Sequence, residues 1–160
     1  MRHIGYGIVL SILLLPQHGF AALGGKQSTK LSGEVTQQAF SPVLRATSPV
    51  GTKTNALYST TKHTLISGTV VQEFSDSGGK VFAVSWRGPT RPDLRQLFGT
   101  YFSTYEYAAK EQLKQGGERR FARLSSSDLV VEMGGPMRNM FGFAYVSSLV
   151  PAGLNINDIR

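Results

Sequence analysis

The alternation of apolar and polar positions along the chain predicts a group of strands in the middle of the sequence. Residues 57–66 (LYSTTKHTLI) alternate in character, residues 69–74 (TVVQEF) are rich in β-branched side chains, and residues 80–86 (KVFAVSW) alternate again. The SDSGG stretch before the third run predicts a tight hairpin, because glycine adopts the positive φ angles that such turns require. We therefore predict an antiparallel meander of three strands. In the third strand, one face is expected to hold Val81, Ala83 and Ser85, and the other Phe82, Val84 and Trp86.

The stretch after Trp86 predicts a turn and then one long amphipathic helix. Thr90 is the predicted N-cap, Pro92 is tolerated in a first helical turn, and Asp93 suits the positive end of the helix dipole. Trp86 is expected to pack at the joint between strand and helix, which we favour over a role in stacking on a ligand. Apolar residues then recur about every 3.6 positions until two glycines predict the end of the helix. This stripe consists of Leu94, Leu97, Phe98, Tyr101, Phe102, Tyr105, Ala108, Ala109 and Leu113.

The rest of the chain predicts a hairpin. Residues 118–123 (ERRFAR) are expected to form a basic connector, and residues 128–133 and 137–146 to form two strands joined by a Gly-Gly-Pro turn. Gly142 indicates a bulge or a close backbone approach. We predict an α+β fold in two layers, in which an antiparallel sheet, made of a strand meander and then a C-terminal hairpin, packs against one long amphipathic helix.

The first residues predict a cleaved secretory signal peptide. A short positive start precedes the apolar run of residues 4–15, Pro16 breaks that run, and small residues stand at Gly19 and Ala21. We expect cleavage after Ala21 and a periplasmic or secreted protein without a transmembrane anchor. The rest is expected to divide into an extended or partly disordered arm with one docked segment about Phe40, a single α+β domain and a C-terminal tail. The signal peptide is expected to span residues 1–21, the arm 22–56, the α+β domain 57–153 and the tail 154–160.

The charge of the chain suits anionic partners. Seventeen Lys and Arg residues against ten Asp and Glu give a formal net charge of +7. For an exported protein, lipid head groups and acidic glycans are expected ahead of nucleic acid, and the alternative is that the charge only confers solubility. Two basic groups are the candidate anion contacts, one at the predicted joint and one at the far end of the helix. They comprise Arg87, Arg91, Arg95, Lys114, Arg119, Arg120 and Arg123.

Candidate catalytic chemistry is sparse in this sequence. There is no cysteine, and His63 is the one histidine after the predicted signal peptide. We expect it to be an ordinary half-exposed strand residue, because no second histidine stands at metal-ligand spacing. The paired glycines match turns and no phosphate-binding loop, and no serine-nucleophile motif occurs. We predict no catalytic residue, metal or cofactor, although spacing leaves open a distant carboxylate pair of the glycosidase type.

Long segments of the chain resemble a known family. They are SGTVVQEF, VFAVSWRGPTRPDLRQLFGTYF, DLVVEMGGPMRNMFGFAYV and LVPAGLNINDIR, together with ALGG after the predicted signal peptide. They are similar to a family of small exported proteins of Gram-negative bacteria, catalogued as domain of unknown function 2844. The resemblance implies export and a shared small fold, and it supplies no activity or site residue.

Three functional interpretations follow from the sequence. The first is a non-catalytic exported protein, an envelope-associated binding or accessory module whose partner is an anionic envelope component or another exported protein. The second is a small hydrolase acting on an envelope polymer, for which scattered carboxylates and His63 are the available groups. The third is an assembly partner of another exported protein, in which the N-terminal arm adds a strand to a sheet edge.

Overall fold

The computed structural model describes residues 23–28, 31–40, 57–116 and 121–160, with the backbone alone for residues 36–40. Within these residues, seven strands form one antiparallel sheet in the order β1-β2-β3-β4-β7-β6-β5. One helical segment packs on it, so the predicted α+β class is confirmed. The strands are β1 Glu34–Phe40, β2 Ser59–Leu65, β3 Val70–Ser75, β4 Val81–Gly88, β5 Ala122–Ser126, β6 Leu129–Gly134 and β7 Met140–Val146.

The helical segment lies between β4 and β5 and has three parts. Helix α1 spans Leu94–Phe98, a 3₁₀ turn spans Gly99–Tyr101, and helix α2 spans Phe102–Lys114. The predicted N-cap was wrong. Asp93 caps α1, and its Oδ1 accepts hydrogen bonds from the amides of Arg95 and Gln96 at 2.9 and 3.3 Å. Thr90 is instead tied to the β2–β3 turn, because Thr69 Oγ1 donates to its carbonyl oxygen at 2.8 Å.

The main core lies between the helical segment and one face of the sheet. Trp86 is only 3% exposed, and its ring centroid lies 6.1 Å from that of Phe98, which confirms the predicted packing at the joint. Gly142 faces Trp86 across β4 and β7, and a Cβ atom there would overlap the indole ring. The close backbone approach predicted for Gly142 is therefore confirmed. Leu23 seals one end of this core, and its amide donates to the carbonyl oxygen of Leu97 at 3.1 Å.

A bulge in β4 changes the predicted facing of its side chains. Phe74 pairs with Ala83 but Ser75 pairs with Val81, so Phe82 is the extra residue of the bulge. Val81 consequently belongs to the main core with Val84 and Trp86, whereas Phe82 belongs to a second cluster on the opposite face. The strict alternation predicted for this strand was wrong at its first two residues.

The second cluster lies on the face of the sheet that points away from the helix. Phe74, Phe82, Ala83 and Phe143 form its buried part. The residues that follow β7 cross back over this face, with 3₁₀ turns at Ser147–Leu149 and Ile156–Asp158. The segment predicted to be a short tail thus contributes Leu154, Ile156 and Ile159 to this cluster.

The two outer strands were not predicted as strands. β1 lies in the segment predicted to be an arm, and it pairs with β2 from Glu34 to Phe40. This strand includes Phe40, about which one docked segment was expected. β5 begins inside the predicted basic connector and pairs with β6. The sequences of β1 and β5 mix apolar and polar residues without a clear pattern. These strands form because they pair with a neighbouring strand, and not because their own sequence favours a strand.

Candidate functional site

A cleft of about 790 Å³ opens on the sheet face that points away from the helix. Its floor is formed by strands β2, β3, β4, β7 and β6, and residues 158–160 of the C-terminal segment form one wall. Concave surfaces of this size are the usual place for a small ligand. The strand register determines which side chains form the floor.

One row of paired positions places polar side chains across the floor. Residues that pair in neighbouring strands project to the same face of a sheet. The register thereby aligns Lys62, Gln72, Ser85, Phe143, Glu132 and Arg123 in one line from β2 to β5. The adjacent row on the same face holds Val70, Arg87, Phe141 and Gly134. The cleft is thus lined by ammonium, guanidinium, carboxylate, amide, hydroxyl and aromatic groups.

Ion pairs organise one side of the cleft. Glu132 lies 3.1 Å from the Nε of Arg123 and also pairs with the guanidinium of Arg160. The Glu132 carboxylate is therefore engaged by two cations. Arg87 lines the other side, and it is exposed. An anionic ligand with hydrogen-bonding groups suits this combination of charges and polar side chains.

A second notable group of side chains, a Glu–His–Glu cluster, lies under the helix-bearing face of the sheet. His63 on β2 has its Nδ1 3.0 Å from Glu34 Oε1 and its Nε2 3.6 Å from Glu73 Oε2. The first distance is a hydrogen bond, and the second is an ion-pair distance too long for one. The side chains of His63 and Glu73 are 0% exposed and that of Glu34 is 3% exposed. The expectation of a half-exposed His63 was therefore wrong.

The Glu–His–Glu cluster joins the N-terminal segment to the sheet. The amide of Ser28 donates to Glu73 Oε2 at 3.1 Å, and the amide of Leu31 donates to Glu34 Oε2 at 2.8 Å. Burial of the imidazole lowers its pKa, but the two carboxylates outweigh that effect and hold the pKa of His63 above its ordinary value. The two neighbouring carboxylates thus favour the protonated form of His63.

The Glu–His–Glu cluster is poorly suited to catalysis, because substrate has no access to a fully buried imidazole. A general base must reach the proton that it abstracts within hydrogen-bond distance. Across the described ranges, no group of three or more His, Cys, Asp or Glu side chains has an arrangement that could hold a metal ion. The cluster is therefore interpreted as a structural clamp.

The structure distributes the predicted anion contacts over several surfaces. Arg87 lines the cleft, Arg91 lines a groove beside α2, and the Arg95 guanidinium lies 4.4 Å above the ring of Phe102. Lys114 pairs with Glu111 at 2.7 Å, and Arg123 pairs with Glu132. Arg119 and Arg120 lie outside the described residues. Arg87 and Arg123 fall in adjacent rows of one sheet face, but the group as a whole does not form one site.

The cleft residues that were not identified from the sequence include Lys62, Gln72, Ser85 and Glu132. In the sequence, these residues appear only as the polar positions of alternating strands. Such a pattern predicts that one face of a strand is not buried, but it does not predict which residues of other strands lie beside it. Only the strand order and register bring these four positions into one row.

The family model for a protein of unknown function (DUF2844) matches residues 19–159. The chain belongs to this DUF2844 family. The match covers all the strands and helices described above, and it confirms the resemblance seen in the sequence. Searches of curated proteins and of solved structures each found no match. In the part of the chain that the structure describes, no helix is both long enough and apolar enough to span a membrane.

Proposed function

We propose that this DUF2844 protein is an exported, non-catalytic binding module of the cell envelope, and that its cleft binds an acidic carbohydrate. The observation that carries the proposal is the contrast between the two faces of the sheet. The one histidine among the described residues is sealed under the helix-bearing face. The opposite face presents an open cleft with cationic, amide and aromatic side chains and the carboxylates of Glu132 and Asp158.

Removal of the predicted signal peptide is compatible with the contacts made by the residues that follow it. Cleavage after Ala21 would make Leu23 and Gly24 the second and third residues of the mature chain. Their amides donate to the carbonyl oxygens of Leu97 and Val81 at 3.1 and 2.8 Å. Cleavage after Ala21 would leave these contacts in place. The segment preceding this site has the positive start, apolar run and small residues of a secretory signal.

An acidic carbohydrate fits the chemistry of the cleft floor. Arg87 can bind a carboxylate through two parallel hydrogen bonds, and Lys62 adds a second cation on the same face. Gln72 and Ser85 offer donors and acceptors for hydroxyl groups. Tyr58 and Phe141 supply flat apolar surfaces at opposite sides of the cleft. A few oriented polar groups among aromatic walls are typical of small-ligand sites.

The hydrolase interpretation has weaker support. A glycosidase needs two carboxyl groups on either side of the scissile bond, one of them protonated. Glu132 and Asp158 both line the cleft, but Glu132 is engaged by Arg123 and Arg160. A carboxylate paired with two guanidinium groups is a poor proton donor, because the cations favour its charged form.

The strand-donation interpretation also has weaker support. It requires the N-terminal arm to pair with another protein. Residues 34–40 of that arm pair instead with β2 of the same chain, and the Glu–His–Glu cluster fastens their first residue.

Titration calorimetry with an oligogalacturonate tests the proposed ligand class. We expect saturable binding that weakens as salt rises, and no binding of the methyl-esterified, neutral oligomer. Arg87→Gln and Lys62→Gln should each weaken binding roughly tenfold, because each removes a charge-assisted hydrogen bond. Lys110→Gln on the far side of the molecule is the matched control and should bind as the wild type does.

Two results would contradict this proposal. Binding that is equally strong for the neutral oligomer, or unaffected by Arg87→Gln, would show that the cleft does not recognise the carboxylates. Release of new reducing ends from the oligomer would favour the hydrolase instead.

A further inference from the structure

Three exposed apolar side chains converge at the end of the sheet where β6 turns into β7. Phe121 is 56% exposed, Met137 is 78% exposed and Phe141 is 40% exposed. The backbone of Gly134 lies between the two phenylalanines, since a Cβ atom there would overlap the ring of Phe121 and lie 3.3 Å from Cζ of Phe141. Met137 and Phe141 line the same small cavity of about 90 Å³. We refer to Phe121, Met137 and Phe141 as the apolar tip.

The turn that carries the apolar tip is well defined. The amide of Asn139 donates to the carbonyl oxygen of Pro136 at 3.1 Å, which closes a four-residue turn. Met137 and Arg138 are its two central residues, and Arg138 adopts a positive φ of 66°. The turn therefore presents an apolar and a cationic side chain together at its outermost point.

Arginines surround the apolar tip. Arg91 lines the cavity with Met137, Arg138 follows Met137 in the turn, and Arg87 pairs with Phe141 across β4 and β7. In the described part of the chain, no carboxylate lies within ion-pair distance of these three arginines. The nearest acid in sequence, Asp93, is directed to the amides at the start of α1. The surface is thus both apolar and positively charged.

We propose that the apolar tip docks the protein on an anionic lipid bilayer. Apolar side chains that project from a turn can enter the acyl boundary, while the surrounding arginines contact lipid phosphates. A stable protein–protein interface needs about 800 Å² from each partner, whereas this surface consists of one turn and two neighbouring rings. The inference rests on the export and envelope association in the proposed function, and it adds a bilayer contact that adjoins the cleft and shares Arg87 and Phe141 with it.

Sedimentation with vesicles tests this inference. The probe is a vesicle of phosphatidylglycerol and phosphatidylcholine in equal parts, compared with phosphatidylcholine alone, and the protein is the chain beginning at Ala22. We expect binding to the anionic vesicles only. Met137→Ser should reduce partitioning roughly threefold to tenfold by removing buried apolar area, and Arg138→Gln roughly fivefold by removing one cation. Tyr107→Ser and Lys110→Gln on α2 are the matched exposed controls and should bind like the wild type.

The variants separate this inference from the proposed ligand site. Lys62→Gln should keep full vesicle binding, and Met137→Ser should keep full oligogalacturonate binding. Absence of vesicle binding by the wild type, or equal losses for Met137→Ser and Tyr107→Ser, would overturn the bilayer contact. Neither result would bear on the cleft proposal, which is tested separately by the calorimetric titration with oligogalacturonate.

Discussion

Replacing His63 by glutamine tests the interpretation of the Glu–His–Glu cluster as a structural clamp. The substitution keeps a polar side chain but removes the ionisable imidazole between the buried side chains of Glu34 and Glu73. Removing one partner of a buried ion pair typically costs about 3–5 kcal/mol, because the remaining charges stay desolvated. A domain of this size has only about 5–15 kcal/mol to lose. We therefore expect His63→Gln to melt roughly 10–20 °C below the wild type.

The stability contributed by His63 should also depend on pH, with a sign that follows from its raised pKa. A group whose pKa is higher in the folded than in the unfolded protein binds protons more tightly in the folded state. Its contribution is fully present below the unfolded pKa of about 6.5 and is lost as pH rises through the folded pKa. The melting temperature of the wild type should thus exceed that of His63→Gln by the largest amount in mildly acidic buffer. This difference in melting temperature should narrow in alkaline buffer.

Thermal denaturation followed by circular dichroism measures both effects over a pH series from mildly acidic to alkaline. Glu111→Gln is the control, since it breaks the exposed pair with Lys114 and should change stability by no more than about 0.5 kcal/mol. A His63→Gln variant that melts within about two degrees of the wild type would refute the clamp. A difference in melting temperature that widens as the pH rises would refute the raised pKa of His63.

Further outcomes are expected from the core and from the chain terminus. Phe98→Ala should cost about 3–5 kcal/mol in a chemical denaturation, whereas Thr100→Ala on the exposed side should stay within about 0.5 kcal/mol. Gly142→Ala should lower the melting temperature despite the small added group, because its methyl would overlap the buried Trp86 indole. Mass spectrometry of protein from the periplasm or medium should find a chain that starts at Ala22, and a full-length, membrane-retained species would contradict the predicted cleavage.

The central strands and the helix could be predicted because their pattern is local. β2, β3, β4, β6 and β7 each carry alternating or β-branched sequence, and the helical segment carries an apolar stripe at helical spacing. Trp86 and Gly142 were interpreted correctly for the same reason. A tryptophan at a strand–helix joint and a glycine within a strand both indicate close packing.

The outer strands and the cleft could not be predicted, because they depend on pairing rather than on local pattern. β1 and β5 are polar enough to look like connectors. The bulge at Phe82 reverses the facing of Val81, and no residue type demands it there. The polar row from Lys62 to Arg123 exists only once six strands are in register.

The Glu–His–Glu cluster illustrates why a single histidine was misread. His63 meets Glu34 across 29 positions of sequence, a separation at which no spacing rule applies. Stability alone does not account for such a group, since well-packed apolar residues often stabilise a core as much or more.

The geometric demands of the Glu–His–Glu cluster are stricter than those of apolar packing. Glu34 must reach both His63 and the amide of Leu31, and Glu73 must accept from the amide of Ser28. A shift of β1 by one residue would move Glu34 to the other face and leave His63 without its hydrogen bond. The cluster thereby contributes to fixing the register of the first strand against β2.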